Sequence, residues 1–180
     1  MKTFKNLVFT AILSTFGILN ATAQLTNTAT ANASATIVQD LTIEKTNDLN
    51  FGVVIPSSSA SSFILAPAGG LTISVGSVSQ ILGDQTAASP EAAAFEVTGS
   101  GISIFTISLP TSIDITNAND DTMTVDTFTS SLPIAGVTLG GVLGDLSVTE
   151  DFTVGAKLNV GADQAAGLYT GTFDVTVNYL

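Results

Sequence analysis

The chain has 180 residues, 45% hydrophobic and 11% charged, and its four lysines against fifteen Asp and Glu give a net charge of −11. It contains no Cys, His, Arg or Trp. Thiol and imidazole nucleophiles, histidine metal sites, guanidinium phosphate clamps and disulfides are therefore excluded, and so acidic a surface repels nucleic acid and anionic lipid.

The first residues have the order of an export signal. Lys2 and Lys5 supply a positive start, Leu7 to Leu19 an apolar run, and Ala21, Thr22 and Ala23 a small-residue site before Gln24. Residues 1–23 are predicted to be a cleaved signal peptide, because the apolar run is shorter than the ~20 residues of a spanning helix. The mature protein is then expected in the periplasm, on the cell surface or outside the cell of a bacterium, and does not span the membrane. The signal takes two lysines and no acids, so the mature net charge is −13. A mature chain of this length can bury a core of its own. It is read as residues 24–36, an N-terminal extension or first strand, followed by one domain over 37–180.

Thr, Val, Ile, Phe and Ser dominate, and Gly, Pro, Asn and Asp break the chain at short intervals, the pattern of an all-β sandwich. Strands are predicted at Ala29–Glu44, Leu49–Ile55, Ser62–Leu65, Leu71–Val75, Phe95–Thr98, Ile102–Leu109, Thr122–Ser131, Leu146–Val160 and Leu168–Tyr179. The alanine-rich Ala87–Ala94 is predicted as a short helical turn or a loop. Turns are placed at Pro67–Gly70, Gly99–Gly101, Asn117–Asp121 and Gly161–Gly167, where Gly, Asn and Asp tolerate positive φ.

Two segments carry the alternation of a strand with functional potential. Near the mature N-terminus, Ala29, Ala31, Ala33 and Ala35 alternate with Thr30, Asn32 and Ser34. It is either an ordinary first strand or an extension that pairs with a neighbouring molecule, and its methyl groups bury little area. At the other end Phe173, Val175, Val177 and Tyr179 alternate with Thr172, Asp174, Thr176 and Asn178, a strand with one apolar face. Four large inward side chains at roughly 1.5–3 kcal/mol each require that strand to pair; its edge could also grip a chaperone or a second subunit.

Carboxylates are the remaining chemistry. Asn117, Asn119, Asp120 and Asp121 cluster in a predicted turn as candidate oxygen donors for Ca²⁺, but without EF-hand spacing or a terminal Glu, so a solvated Asx-rich turn is the favoured reading and no metal is expected. No catalytic residue and no cofactor are expected.

Leu49-Asn50-Phe51-Gly52, Met123-Thr124-Val125-Asp126-Thr127-Phe128 and the closing run from Leu158 resemble the secreted bacterial domain-of-unknown-function 4402 family, over about Ile37 to Leu180. That resemblance implies an exported β-rich domain and no established activity. Gly167, Tyr169 and the alternating Phe173 to Tyr179 are similar, more loosely, to chaperone-usher pilins of the spore-coat-U type. That likeness implies an incomplete immunoglobulin-like sandwich completed by a strand from the next subunit, and it singles out the penultimate Tyr179.

The expectation is thus an immunoglobulin-like or pilin-like antiparallel β-sandwich serving as a non-enzymatic structural or adhesive surface protein. It would assemble by strand addition through Phe173, Val175, Val177, Tyr179, Ala29, Ala31 and Ala33, with itself or a periplasmic chaperone as partner. The alternative is a solitary secreted glycan- or calcium-binding module.

Overall fold

A computed structural model describes residues 27–75 and 89–180; the signal peptide read at 1–23 lies outside the described residues. Thr36–Leu180 forms one compact unit. Residues 27–35 belong to a separate one and are exposed, without regular structure.

The described residues contain ten strands and no helix. They are β1 (Thr42–Asn47), β2 (Ser61–Leu65), β3 (Leu71–Val75), β4 (Ala93–Gly99), β5 (Ile104–Ser108), β6 (Ser112–Thr116), β7 (Thr122–Ser130), β8 (Val137–Thr138), β9 (Val148–Val160) and β10 (Thr176–Tyr179). Every pairing is antiparallel, in a seven-stranded sheet β1-β4-β9-β2-β3 with β7 and β6 added through β9, and a three-stranded sheet β10-β5-β8.

The long β9 is the spine. Its residues Val148–Val154 pair with β4, Ala156–Val160 with β2, and Val154–Asn159 with β7. Gly155 stands where β9 passes from β4 to β2, and a Cβ there would collide with the carbonyl oxygen of Leu65. Only glycine permits that approach of two backbones.

Period-two burial makes the core. In β4, Ala93, Phe95, Val97 and Gly99 are buried while Ala94, Glu96 and Thr98 turn outward. Phe95 stacks on Phe152 of β9 with ring centroids 5.4 Å apart. With Val97, Val154, Phe105, Ile107, Val137 and Leu139 they form the cluster between the two sheets. A second, smaller cluster gathers Phe63, Val125, Ala156, Leu158 and Val160. Phe128 packs against both. It is turned into that junction by a bulge in β7 between Asp126 and Thr129, where Thr127 has φ +53°.

Several predicted elements are corrected. The strand placed at Ala29–Glu44 is a strand only from Thr42: residues 27–41 have no regular structure, and Ala29, Ala31 and Ala33 are exposed. A methyl group buries too little apolar area to offset the cost of ordering its residue. Leu49–Ile55 is not a ladder strand; Asn50 makes a bridge to Glu91 and the chain then turns at Gly52, φ +74°. In the alanine-rich segment, Glu91 joins that bridge and Ala93 opens β4, so the described part is not helical. The closing strand is shorter than Leu168–Tyr179: Thr170 bridges Thr116, and the ladder begins at Thr176. The short β6 and β8 were not predicted.

Candidate functional site

A cleft of about 1040 Å³ lies over the smaller core cluster. Its floor is the inward face of β6, β7 and the second half of β9, with Ile113, Ile115, Met123, Val125, Leu158 and Val160. These positions alternate with outward polar residues, which is why one sheet face is continuously apolar.

One wall is the segment from Asp48 to Val54. Asn50 and Glu91 exchange two backbone hydrogen bonds of 2.8 Å, and the Gly52 amide donates to Asn50 Oδ1 at 2.8 Å, which turns the chain and leaves Leu49, Phe51 and Val54 against the core. The Lys45–Asp48 ion pair on this wall is exposed and contributes little.

The other wall is the loop from Gly161 into the closing segment, and Gln164 builds it. Gln164 Nε2 donates to the Thr122 carbonyl (3.2 Å) and to Tyr169 Oη (2.9 Å), while its Oε1 accepts from the Gly161 amide (3.2 Å). Tyr169 Oη donates in turn to the Ala165 carbonyl at 2.7 Å. Thr170 and Thr116 then exchange backbone hydrogen bonds of 2.9 Å.

Beyond Thr170 the chain stays extended but unpaired. Among the described residues, Gly171–Val175 makes no main-chain hydrogen bond until β10 joins β5 at Thr176 opposite Ser108. Side chains still alternate: Phe173, Val175, Val177 and Tyr179 are half-buried and Thr172, Asp174, Thr176 and Asn178 exposed. Phe173 touches Phe128 (centroids 5.0 Å) and Phe95 (6.4 Å).

The predicted site residues therefore separate. Phe173, Val175 and Val177 share the main core cluster, and the first two also line the cleft. Tyr179 lies at the far end of β10, where its hydroxyl donates to the Gln39 carbonyl at 2.8 Å. Ala29, Ala31 and Ala33 belong to the exposed segment ahead of the domain. Sequence reasoning missed Gln164 and the wall at residues 48–54; the Tyr169 that follows Gly167 was the available signal.

The Asn117–Asp121 turn is closed on itself. Asn117 is buried; its Oδ1 accepts from the amides of Asn119 (2.9 Å) and Asp121 (3.0 Å), and its Nδ2 donates to Asp121 Oδ2 (2.9 Å). Asp120 sits at φ +65°, and a hollow of about 400 Å³ is lined by the turn together with Gly167 and Leu168, Gly167 lying against Asn117. Among the described residues no three or more Asp, Glu, His or Cys are grouped to hold a metal ion.

Asp126 is the carboxylate whose titration is displaced. Partial burial raises its pKa, but hydrogen bonds from Thr127 (2.7 Å), Lys157 and Asn159 (2.8 Å), with the Lys157 charge 3.0 Å away, outweigh this and hold it below the ordinary value. Among the described residues no helix is long and apolar enough to cross a membrane.

Two antiparallel sheets with a core between them and an apolar cleft at one end define a sandwich-like all-β domain. Residues 41–179 match the model of a domain of unknown function, DUF4402, and the chain belongs to that family. Comparison with the curated proteins and with the solved structures finds no match.

Proposed function

We propose that the chain is an exported, non-enzymatic structural or adhesive surface protein with an immunoglobulin-like, pilin-like sandwich, assembling by strand addition. The observation that carries this reading is the unpaired main chain of Gly171–Val175 beside an apolar cleft. An extended segment laid there finds backbone donors and acceptors without main-chain partners on the wall and the apolar side chains of the floor below. Each backbone hydrogen bond contributes about 0.5–1.5 kcal/mol net, and side chains alternating into the floor fix the register.

The segment that suits it is residues 27–38 of a second copy. It is exposed, precedes the domain in sequence and carries no charge, so it can enter the cleft without desolvating an ion. Its small side chains pass easily between the walls, and Ile37, 86% exposed, offers one large anchor.

Native gel electrophoresis with and without boiling tests the reading. The expected result is a heat-labile ladder that disappears when residues 27–35 are deleted while the remaining domain stays folded. A protein that remains monomeric at high concentration, with no fibres in the electron microscope, overturns it.

A further inference from the structure

Where the N-terminal segment meets the domain, its backbone is caught by residues far away in sequence. The Gln39 amide donates to Ser100 Oγ at 2.7 Å, and the Gln39 carbonyl accepts from Tyr179 Oη at 2.8 Å. The Ser100 amide donates to the same Tyr179 oxygen at 3.2 Å. Both peptide groups of Gln39 are thus satisfied by side chains of the body, and the Tyr179 hydroxyl is used as donor and acceptor together.

The packing around this junction is built for it. A Cβ on Gly99 would stand 2.6 Å from Tyr179 Oη, 2.8 Å from Leu139 Cδ1 and 2.9 Å from Leu41 Cδ1. These are closer than real Cβ contacts come, so the missing side chain at Gly99 is what admits the phenol and Leu41 side by side. Immediately upstream the hold ends: Ile37 is 86% and Val38 52% exposed, and residues 36–38 make no hydrogen bond among the described residues.

We propose that Tyr179 is a latch that ties the root of the N-terminal segment to the domain at Gln39, and so sets how far that segment reaches toward a second copy; this reach rests on the reading of the segment as the added strand. A hydroxyl that only satisfied a buried polar group would need one partner. Here it closes a ring through Ser100 onto both the N–H and the C=O of one residue, at the point where the upstream chain becomes exposed. With the latch open, the next fixed point is Leu41, which packs against the main core cluster, and freeing Gln39 and Asp40 lengthens the reach by about 7 Å at ~3.3 Å per residue.

Amide hydrogen exchange on the full chain, at a dilution where it is monomeric, tests the latch in Tyr179→Phe. The expected result is at least tenfold faster exchange at Gln39 and Ser100, with the Phe95 and Phe152 amides unchanged. Ser100→Ala, which leaves the phenol in place, should accelerate Gln39 in the same way and keeps the test decisive if Tyr179→Phe folds poorly. Unchanged exchange at Gln39 and Ser100 in both variants overturns the latch, as does equal acceleration throughout the sheet, which would make Tyr179 a contributor to global stability alone. The assembly reading fails separately: a wild type that forms no ladder removes the consequence for reach, whatever the exchange at Gln39 shows.

Discussion

Replacing Phe173 with alanine measures how firmly the unpaired part of the closing segment is held. Truncating a fully buried phenylalanine costs about 3–5 kcal/mol. Phe173 is half-buried, so roughly half of that applies, and its two aromatic neighbours, Phe128 at 5.0 Å and Phe95 at 6.4 Å, place the expected loss near the upper end, about 2–3 kcal/mol. No backbone hydrogen bond from Gly171–Val175 compensates, since that stretch has none among the described residues. Urea unfolding should show a lower midpoint at unchanged slope, and the melting temperature should fall by roughly 4–12 °C for a domain of this size. Phe152→Ala, at a residue only 2% exposed, is the internal standard and should cost more. A loss below about 0.5 kcal/mol for Phe173→Ala would mean that the ring does not sit between Phe128 and Phe95, and the wall of the cleft would have to be redrawn.

Two further predictions concern charge. Because the folded pKa of Asp126 is depressed, its contribution to stability is present above the unfolded carboxylate value of about 3.9 and is lost as pH falls through the lower folded value; the stability gap between wild type and Asp126→Asn in urea titrations should be constant near neutrality and close in acid, and a gap that widens in acid would contradict the assignment. On the outer face of the large sheet, Glu44, Glu96 and Asp151 stand directly opposite one another across β1, β4 and β9. Like charges so placed are unfavourable, so Glu96→Lys, converting two repulsive pairs to attractive ones, should stabilise by about 0.5–2 kcal/mol at low salt, with the gain shrinking in 1 M NaCl. Destabilisation, or a gain indifferent to salt, would refute that register.

The fold was legible where alternation came from large side chains. Phe63 and Leu65, Phe95 and Val97, and Phe152 to Val160 each set a period of two that burial then enforced, and the corresponding strands stand where they were expected. The same period written in alanines at 29, 31 and 33 forms no strand within this chain, since it has little area to bury against the domain. The cleft was not legible, because its walls come from residues 48–54 and 164–175, whose approach depends on the β9 spine and on the side chain of Gln164. Nor was the role of Tyr179: its place in the alternation predicted a core residue, whereas its hydroxyl is engaged by Ser100 and Gln39 through a gap left by Gly99.

The unpaired stretch itself has a cause in sequence. The ladder of β10 with β5 runs Tyr179 opposite Phe105 to Thr176 opposite Ser108. Continuing that register would bring Asp174 opposite Pro110, a residue with no N–H to donate and a fixed φ. The chain turns away there into β6, which pairs with β7 in the other sheet. Leu109-Pro110 thus ends the three-stranded sheet, and a cleft lies over the smaller cluster at the second half of β9. Gly171–Val175 keeps its alternating side chains on the domain, because Phe173 and Val175 still find Phe128 and the main cluster, yet among the described residues its backbone has no main-chain hydrogen-bond partner. The unpaired stretch is therefore a consequence of where one proline interrupts one ladder.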